Sequence, residues 1–474
     1  MGLLAMVLLP AAAGAIAWFL RGARGRLAIL LGTAALHLLG TAALWVGRAN
    51  VPSGGWLSVD ALGLVVLTVV SLVFGVVAVY AIGFLESERG RGERAFIVCL
   101  LAFLSSATLV ALSHHLALLW TGMEATTLAL APLIFYRRDK RSLEAAWKYL
   151  VLSSVGIALA LLGTFFLAAS QGAGRPLILG DLIENAATLQ PGLLRTAFVF
   201  LLVGYGTKMG LAPMHAWKPD TYGEAPALVA GLMAGALTSC AFLGLARATE
   251  VMTAAHQLAF VRPPLFALGL ASLLISAGFM IGQTDLKRML AYSSIEHMGL
   301  LAIALGIGGA GAYGAVLHLL NNGLIKPVLF LAVGNIVLLS GTSEASATRG
   351  LLRRAPVTGG LVVAGLFAVT GSPPFGLFVS EFTILGSAFH GGFAWLALVA
   401  VALIAIIFVG MARTLLGVVY GEPAGDAPRL AESLPLVAGP VALVAIVLML
   451  GLWIPAPLRG VLADAARALG GGAP

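Results

Sequence analysis

Cysteine is nearly absent from this 474-residue chain, which has only Cys99 and Cys240. Each lies inside an apolar run, with no CxxC spacing. An iron–sulfur cluster takes four ligands, usually thiolates, and a structural zinc site takes four Cys or His ligands at close spacing. Neither set is available, which also excludes a secreted disulfide scaffold. Charge is scarce as well: Asp, Glu, Lys and Arg make up 10% of the residues, against about 25% in an ordinary soluble domain. That excludes a water-soluble enzyme and a disordered chain.

Apolar residues take the place of charge, at 60% with a mean hydropathy of +1.02. A helix needs about 20 apolar residues to cross about 30 Å of hydrocarbon, so the content suffices for roughly fourteen crossings. Apolar runs bounded by charge or Gly/Pro fall at 2–20, 27–46, 60–84, 95–113, 115–135, 145–169, 196–214, 226–246, 260–281, 288–307, 312–338, 357–389, 393–413 and 433–454. The stretch 95–135 is too long for one pass, and Ser113, His114 and His115 mark its break. The first run could pass for a signal peptide. It lacks a basic leader, and Arg21, Arg24 and Arg26 follow it instead, so it reads as a retained first helix. The expected fold class is all-α: a polytopic membrane protein of about fourteen transmembrane helices.

A net charge of +8 would point to nucleic acid in a soluble protein. Here the distribution of Lys and Arg accounts for it. Loops after odd-numbered helices hold eighteen of them, whereas loops after even-numbered helices and the C-terminal tail hold seven. The positive-inside rule then places the odd-numbered loops in the cytoplasm and both termini outside. The partner surface is the lipid bilayer of a bacterial-type plasma (inner) membrane, and no nucleic acid is expected. No loop is long enough for a soluble domain, so the activity is expected within the bilayer.

A charge at mid-membrane costs about 2.5–3.5 kcal/mol on insertion scales. Glu124 sits in LLWTGMEATTLAL, Lys208 in FLLVGYGTKMGLAP, Lys326 in LHLLNNGLIKPVLFLAVG and Glu381 in GSPPFGLFVSEFTILG, while Lys148 lies a turn inside its span. Unpaired, the five would cost on the order of 15 kcal/mol, so they pair, neutralise or face water. A Glu facing a Lys holds it charged, and a buried Lys whose Glu swings away tends to release its proton. One such pair reads readily as a static strut between two helices. Five groups on five helices read as a proton relay. His318, Asn322 and Lys326 share one helical face at i, i+4, i+8 spacing, and His297 lies on the preceding helix in SSIEHMG. A histidine between carriers suits a shuttle near neutral pH, although singly each reads as readily as a structural residue. His114 and His115 read as interfacial.

Two spans look interrupted. Lys208 is followed by Gly210 and Pro213, and Glu381 is preceded by Gly371, Pro373, Pro374 and Gly376. Broken backbone at membrane depth is tolerated only where protein buries it or it lines a cavity. The interrupted helices are the seventh and twelfth, five apart, and an odd offset inverts topology. The division expected is 1–94 for helices 1–3, 95–250 for a first five-helix repeat (helices 4–8), 251–420 for a second, inverted one (helices 9–13), and 421–474 for helix 14 and a short tail.

Over roughly 60–415 the chain resembles the antiporter-like subunits shared by respiratory complex I, the Mrp cation/proton antiporters and membrane-bound nickel–iron hydrogenases. The resemblance rests on Glu124, KMGLAPMHAWKPDTYGEAP at 208–226, QTDLKRMLAYSSIEHMG at 283–299, LHLLNNGLIKPVLFLAVGN at 317–335 and GSPPFGLFVSEF at 371–382. SSIEHMG and PPFGLFVSEF are similar to hydrogenase-4 component F and its relatives. The resemblance implies proton movement along a hydrated mid-membrane axis. Glu124 and Lys208 would be the input pair, Lys326 with His318 the central-to-output relay, and Glu381 the terminal carrier. It also implies no cofactor in this chain. Iron–sulfur clusters, and in some relatives nickel–iron, would lie on a peripheral redox arm and neighbouring membrane subunits. Two departures stand out. Many members carry an eighth-helix Lys where this chain reads AGALTSCAFLGLAR, so that by position Ser239 replaces it. Some relatives have a second His where Asn322 stands. Water held by Thr238 and Ser239 would bridge the first gap, or the axis is interrupted there.

Three functions remain open on this reading. The first is a proton-translocating subunit of a redox-driven complex of the hydrogenase-4, formate hydrogenlyase or complex I type, without catalytic centres of its own. The second is a Na⁺(K⁺)/H⁺ antiporter or inorganic-carbon-uptake subunit without redox chemistry. The third is a non-pumping membrane scaffold. The topology is directly testable: in a cysteine-free background, Arg353→Cys is expected to react with a membrane-impermeant maleimide only in inside-out vesicles, and Arg175→Cys only in intact cells. The opposite pattern would invert the orientation.

Overall fold

The computed structural model describes residues 2–47, 55–88, 92–172, 174–422 and 432–470. Of the basic residues counted to loops, Arg48, Arg89, Arg91 and Arg429 lie outside the described residues. The described chain is helical from end to end. Helices α1 (Leu3–Phe19), α2 (Ala23–Gly47), α3 (Ala61–Ser87), α4 (Glu93–Leu112), α5 (Leu116–Ile134) and α6 (Lys140–Gln171) follow in order. A short α7 (Leu179–Glu184) precedes α8 (Pro191–Met209) and α9 (Trp217–Glu224). Then α10 (Ala227–Leu232), a π-turn at Met233–Leu237 and α11 (Thr238–Ala254) run on as one rod. They are followed by α12 (Leu258–Met280), α13 (Leu286–Ile307) and α14 (Ala310–Ser340). The chain closes with α15 (Leu351–Arg354), α16 (Pro356–Val369), α17 (Gly376–His390), α18 (Ala394–Tyr420), α19 (Leu434–Leu452) and α20 (Ala456–Ala468). Eleven helical stretches are long and apolar enough to cross a membrane. The shorter α1 and the interrupted pairs α8/α9 and α16/α17 complete the fourteen passes.

Acidic caps start several helices. Asp60 accepts from Gly63 N at 2.8 Å, Asp285 from Arg288 N at 2.8 Å and Asp139 from Ser142 N at 2.7 Å, the last in a reciprocal capping box with Ser142. The Ser142 backbone bond holds the Asp139 carboxyl below the usual range. Asp60 has a second task. Arg247 is buried between Asp60 and Glu250, 2.5 Å from the former and 3.1 Å from the latter. Burial alone would raise the Asp60 pKa, but Arg247 outweighs it and holds the carboxyl far below its ordinary value.

The loops sort by parity. Leu57 bridges to Ser113 and His115 to Ile178, all after even-numbered passes, whereas Asp285 bridges to Glu344, both after odd-numbered ones. Some residues counted to loops from sequence are not in solvent. Lys218, Lys287 and Arg247 are all buried. Lys218 donates to Met209 O at 2.6 Å and Lys287 to Ala225 O at 3.1 Å, which are carbonyls at helix C-terminal ends that lack an intrahelical partner. The short tail expected after residue 454 folds as α20. Its Val461, Leu462, Ala465 and Ala466 are buried, and it packs against α3 and α14.

The polar content is inside out relative to a soluble protein. The stretches 227–254 and 286–307 are enclosed wholly by other helices, while α18, α12 and α6 form the perimeter. Arg247, Glu250, Lys287, Glu296 and His297 lie on these stretches, away from lipid, and Lys208 and Lys326 are buried on the neighbouring helices α8 and α14.

Both interruptions are built alike. Gly210 ends α8 at φ +79° with the Lys218 side chain laid over it, so that a Cβ there would come within 2.7 Å of Lys218 Cδ. Gly371, at φ +62°, lies against the Glu381 carboxylate, which a Cβ would overlap. In each case the second half of a broken helix sends an ionisable side chain back over the glycine that ends the first half. Gly371→Ala is therefore expected to cost about 1–3 kcal/mol from backbone strain and to displace Glu381. Gly386→Ala, in α17 with open space around it, is expected to be neutral or slightly stabilising. Thermal unfolding of both variants in detergent checks this.

Candidate functional site

Two clusters of ionisable groups lie beside the enclosed helices, apart from the Asp60–Arg247–Glu250 group and Lys287. In the first, Lys208 is fully buried one residue before the end of α8. Its Nζ donates to Thr127 Oγ1 at 2.5 Å and to Tyr149 OH at 3.1 Å. The ammonium also lies 4.8 Å from the centre of the Tyr149 ring, a cation–π contact. Thr127 in turn donates to Glu124 Oε2 at 3.3 Å, and Ser154 donates to Glu124 Oε1 at 3.0 Å. Glu124 and Lys208 are thus linked through a hydroxyl rather than in direct contact. Glu124 is only half-buried, at the outer edge of α5 and α6.

The second cluster repeats this construction. Lys326 Nζ, fully buried on α14, donates to Ser293 Oγ at 2.6 Å, and Ser293 donates to Glu296 Oε2 at 3.3 Å. In both clusters a carboxylate and a hydroxyl sit three residues apart on one helix, and a lysine from another helix caps the hydroxyl. The carboxylates lie on α5 and α13, the fifth and tenth passes.

Next to Glu296 a histidine pair continues the line. His297 Nδ1 lies 3.0 Å from His318 Nε2, and His318 Nδ1 lies 3.0 Å from Ser380 Oγ. Ser380 donates its own proton to Leu377 O at 2.9 Å. The Val369 carbonyl also faces the His297 ring, whose Nε2 is buried. Glu381 Oε1 is 3.9 Å from His297 Nδ1. His297, His318 and Glu381 offer ligand atoms within 4.8 Å of one another, the donor set of a zinc site. A divalent cation there would take the positions that the two rings use on each other.

The remaining expected residues are placed differently. Lys148 is half-exposed and pairs with Glu144 at 2.7 Å and Asp220 at 2.8 Å. It belongs to a polar surface pocket with Arg288 and Asp285, apart from the two clusters. Ser239 is buried, but its hydroxyl donates to Gly235 O at 2.7 Å, in the π-turn, and Thr238 donates to Ala234 O at 2.6 Å. The Asn322 amide oxygen is buried without a partner.

The family described as NADH:quinone oxidoreductase/Mrp antiporter, TM matches residues 113–407. The chain belongs to this family. It is 35% identical over 387 residues to a hydrogenase-4 component F homolog of Methylacidiphilum infernorum, a match covering 79% of this chain and 81% of the relative. Its fold superimposes on a chain of respiratory complex I from Thermus thermophilus with a TM-score of 0.80 and 27% identity, over 98% of this chain and 100% of that one. It also superimposes on a chain of a membrane-bound sulfane sulfur reductase, an archaeal respiratory membrane complex, with a TM-score of 0.90 and 22% identity, over 98% and 97%.

Glu296 and Lys218 are among the buried groups of this antiporter-like chain that escaped the sequence reading. Glu296 stands beside His297 in SSIEHMG, inside a span, and the charge-in-a-span criterion applied to Glu124 would have found it. Lys218 was hidden because a lysine after a Gly–Pro break looks like a loop residue. The bridging hydroxyls are separately testable. Thr127→Val is expected to cost about 1–3 kcal/mol by leaving the Lys208 ammonium short of an acceptor, whereas Thr127→Ser is expected to cost little. Equal thermal unfolding of the two variants would remove the bridge from the argument.

Proposed function

We propose that this chain is the proton-translocating membrane subunit of a redox-driven complex of the hydrogenase-4 or complex I type. The observation that carries the reading is the pair of Lys–hydroxyl–Glu triplets, each built on a fully buried lysine, one in each expected repeat (95–250 and 251–420), followed by the His297–His318 pair and Glu381. Within a triplet, a proton leaves the lysine ammonium for the hydroxyl oxygen while the hydroxyl proton passes to the carboxylate. The hydroxyl ends unchanged, the lysine becomes an amine and the glutamate an acid. An ion pair has become a neutral pair with no net charge moved into the oil, so the step is inexpensive where ions are poorly solvated.

Passage between clusters does move net charge and therefore needs a drive. Lys218 is our candidate for the gap: it follows Lys208 across the broken helix, and its buried Nζ donates to the carbonyl of Met209, the residue after Lys208. It can take the role that the eighth-helix lysine has in relatives, since Thr238 and Ser239 have committed their hydroxyl protons to the π-turn backbone. Beyond Lys326 and Glu296, His297 Nδ1 faces His318 Nε2 at 3.0 Å and Glu381 Oε1 at 3.9 Å, so that a ring that has taken up a second proton can release one from Nδ1 to the Glu381 carboxylate, the terminal carrier. The drive comes from partners: neighbouring membrane subunits and a peripheral arm bearing the redox centres. The chain is a multi-pass membrane protein, with the odd-numbered loops in the cytoplasm and both termini outside.

Proton uptake by inverted vesicles holding the assembled complex tests this reading. Lys208→Ala, Glu124→Ala and Glu296→Gln are each expected to cut redox-driven proton movement at least about tenfold, the loss of about 1.4 kcal/mol or more of coupling, with the complex still assembled. Lys218→Met is expected to do the same, and Lys218→Arg to keep partial function. Unchanged translocation in the Lys208 and Glu124 variants would reject the assignment. Unchanged translocation in Lys218→Met alone would remove only the bridging role.

A further inference from the structure

Away from the ionisable axis, a cavity of about 860 Å³ opens where the turn after α12, the segment before α15 and the C-terminal half of α18 meet. All three segments adjoin loops that follow odd-numbered passes, so the mouth lies at the membrane face that holds most of the Lys and Arg. The wall is apolar and turned outward: Ile281, Ile406 and Val409 are 68%, 41% and 63% exposed. Arg413 stands one turn above Val409 on the same face of α18, and Arg349 also lines the cavity. Both arginines are exposed, and among the described residues neither has an ion-pair partner. Gly417 continues the groove toward the mouth, and a Cβ there would meet nothing within 4 Å. The packing of the chain itself therefore does not require glycine at a helix-interior position where alanine would favour the helix.

An unpaired guanidinium on the outward face of a membrane helix, below the helix end, calls for an anion at headgroup level. An apolar wall directly below it calls for acyl chains. We propose that this groove is a binding site for an anionic phospholipid. The phosphodiester lies between Arg349 and Arg413, and a chain runs down Val409 and Ile406. The charge of the rim selects an anionic headgroup over a zwitterionic one, as basic membrane-face pockets do. A neighbouring protein helix would fill the apolar wall but would leave both cations without a counter-charge unless it brought carboxylates of its own.

Native mass spectrometry of the detergent-purified full-length chain, titrated with phosphatidylglycerol or phosphatidylcholine, tests the proposal independently of transport. Wild type is expected to retain phosphatidylglycerol about tenfold better than phosphatidylcholine, and R349Q/R413Q to lose that preference. R349K/R413K is expected to keep most of it, and Gly417→Leu to weaken retention with both arginines present. Thermal unfolding close to wild type shows that the variants are folded. Equal retention of the two lipids, or a preference unchanged in R349Q/R413Q, would overturn the proposal. So would a photoreactive residue at position 409 that cross-links, in native membranes, to a polypeptide instead of a lipid.

Discussion

A charge removed from water must find a partner at hydrogen-bond range or lose its proton, and the architecture of this chain follows from that constraint. The enclosed lysines are each given a hydroxyl, a carbonyl or an aromatic face. Lys208 reaches Thr127 and Tyr149, Lys326 reaches Ser293, and Lys218 reaches the free carbonyl at the end of α8. For Lys208 and Lys326 the partners are hydroxyls with a carboxylate behind them, so the arrangement satisfies the charges through a hydrogen-bond network. A direct Lys–Glu contact would satisfy the charges as well. A hydroxyl between them adds a group that can pass a proton on without being consumed.

The same constraint sets where backbone may break. The interruptions at Gly210 and Gly371 expose helix-end dipoles inside the protein, and each is covered by an ionisable side chain from the following half-helix. Lys218 meets the C-terminal carbonyl of Met209, the favourable sense for a cation. Glu381 lies over Gly371 and within ion-pair range of His297. A broken helix is thus a device for holding a titratable group at mid-membrane, which an unbroken helix packed among apolar neighbours does less readily.

Family membership and site chemistry answer different questions. The match over residues 113–407 and the superposition on respiratory membrane complexes establish the fold and the lineage. They do not say how this chain manages without an eighth-helix lysine. Lys218 is buried on the second half of the seventh pass, with its Nζ on the Met209 carbonyl.

Hydropathy alone placed the passes, because spanning oil demands long apolar helices wherever they pack. Gly and Pro alone placed the two interruptions, because they remove the backbone freedom and donors that a continuous helix needs. Glu124, Lys208, Lys326, Glu381 and the histidines were legible for a related reason: charge inside an apolar run has no inexpensive explanation. Sequence could not say which of these groups touch. That depended on α8 bringing Lys208 to Thr127 of α5 and on α14 bringing Lys326 to Ser293 of α13, so that two ordinary hydroxyl residues with no signal of their own became bridges. It could not tell Lys148, drawn out to Glu144 and Asp220, from Lys218, drawn in to Met209. The direction in which a long flexible side chain settles depends on the partners that other helices bring to it, and only the packed chain supplies those.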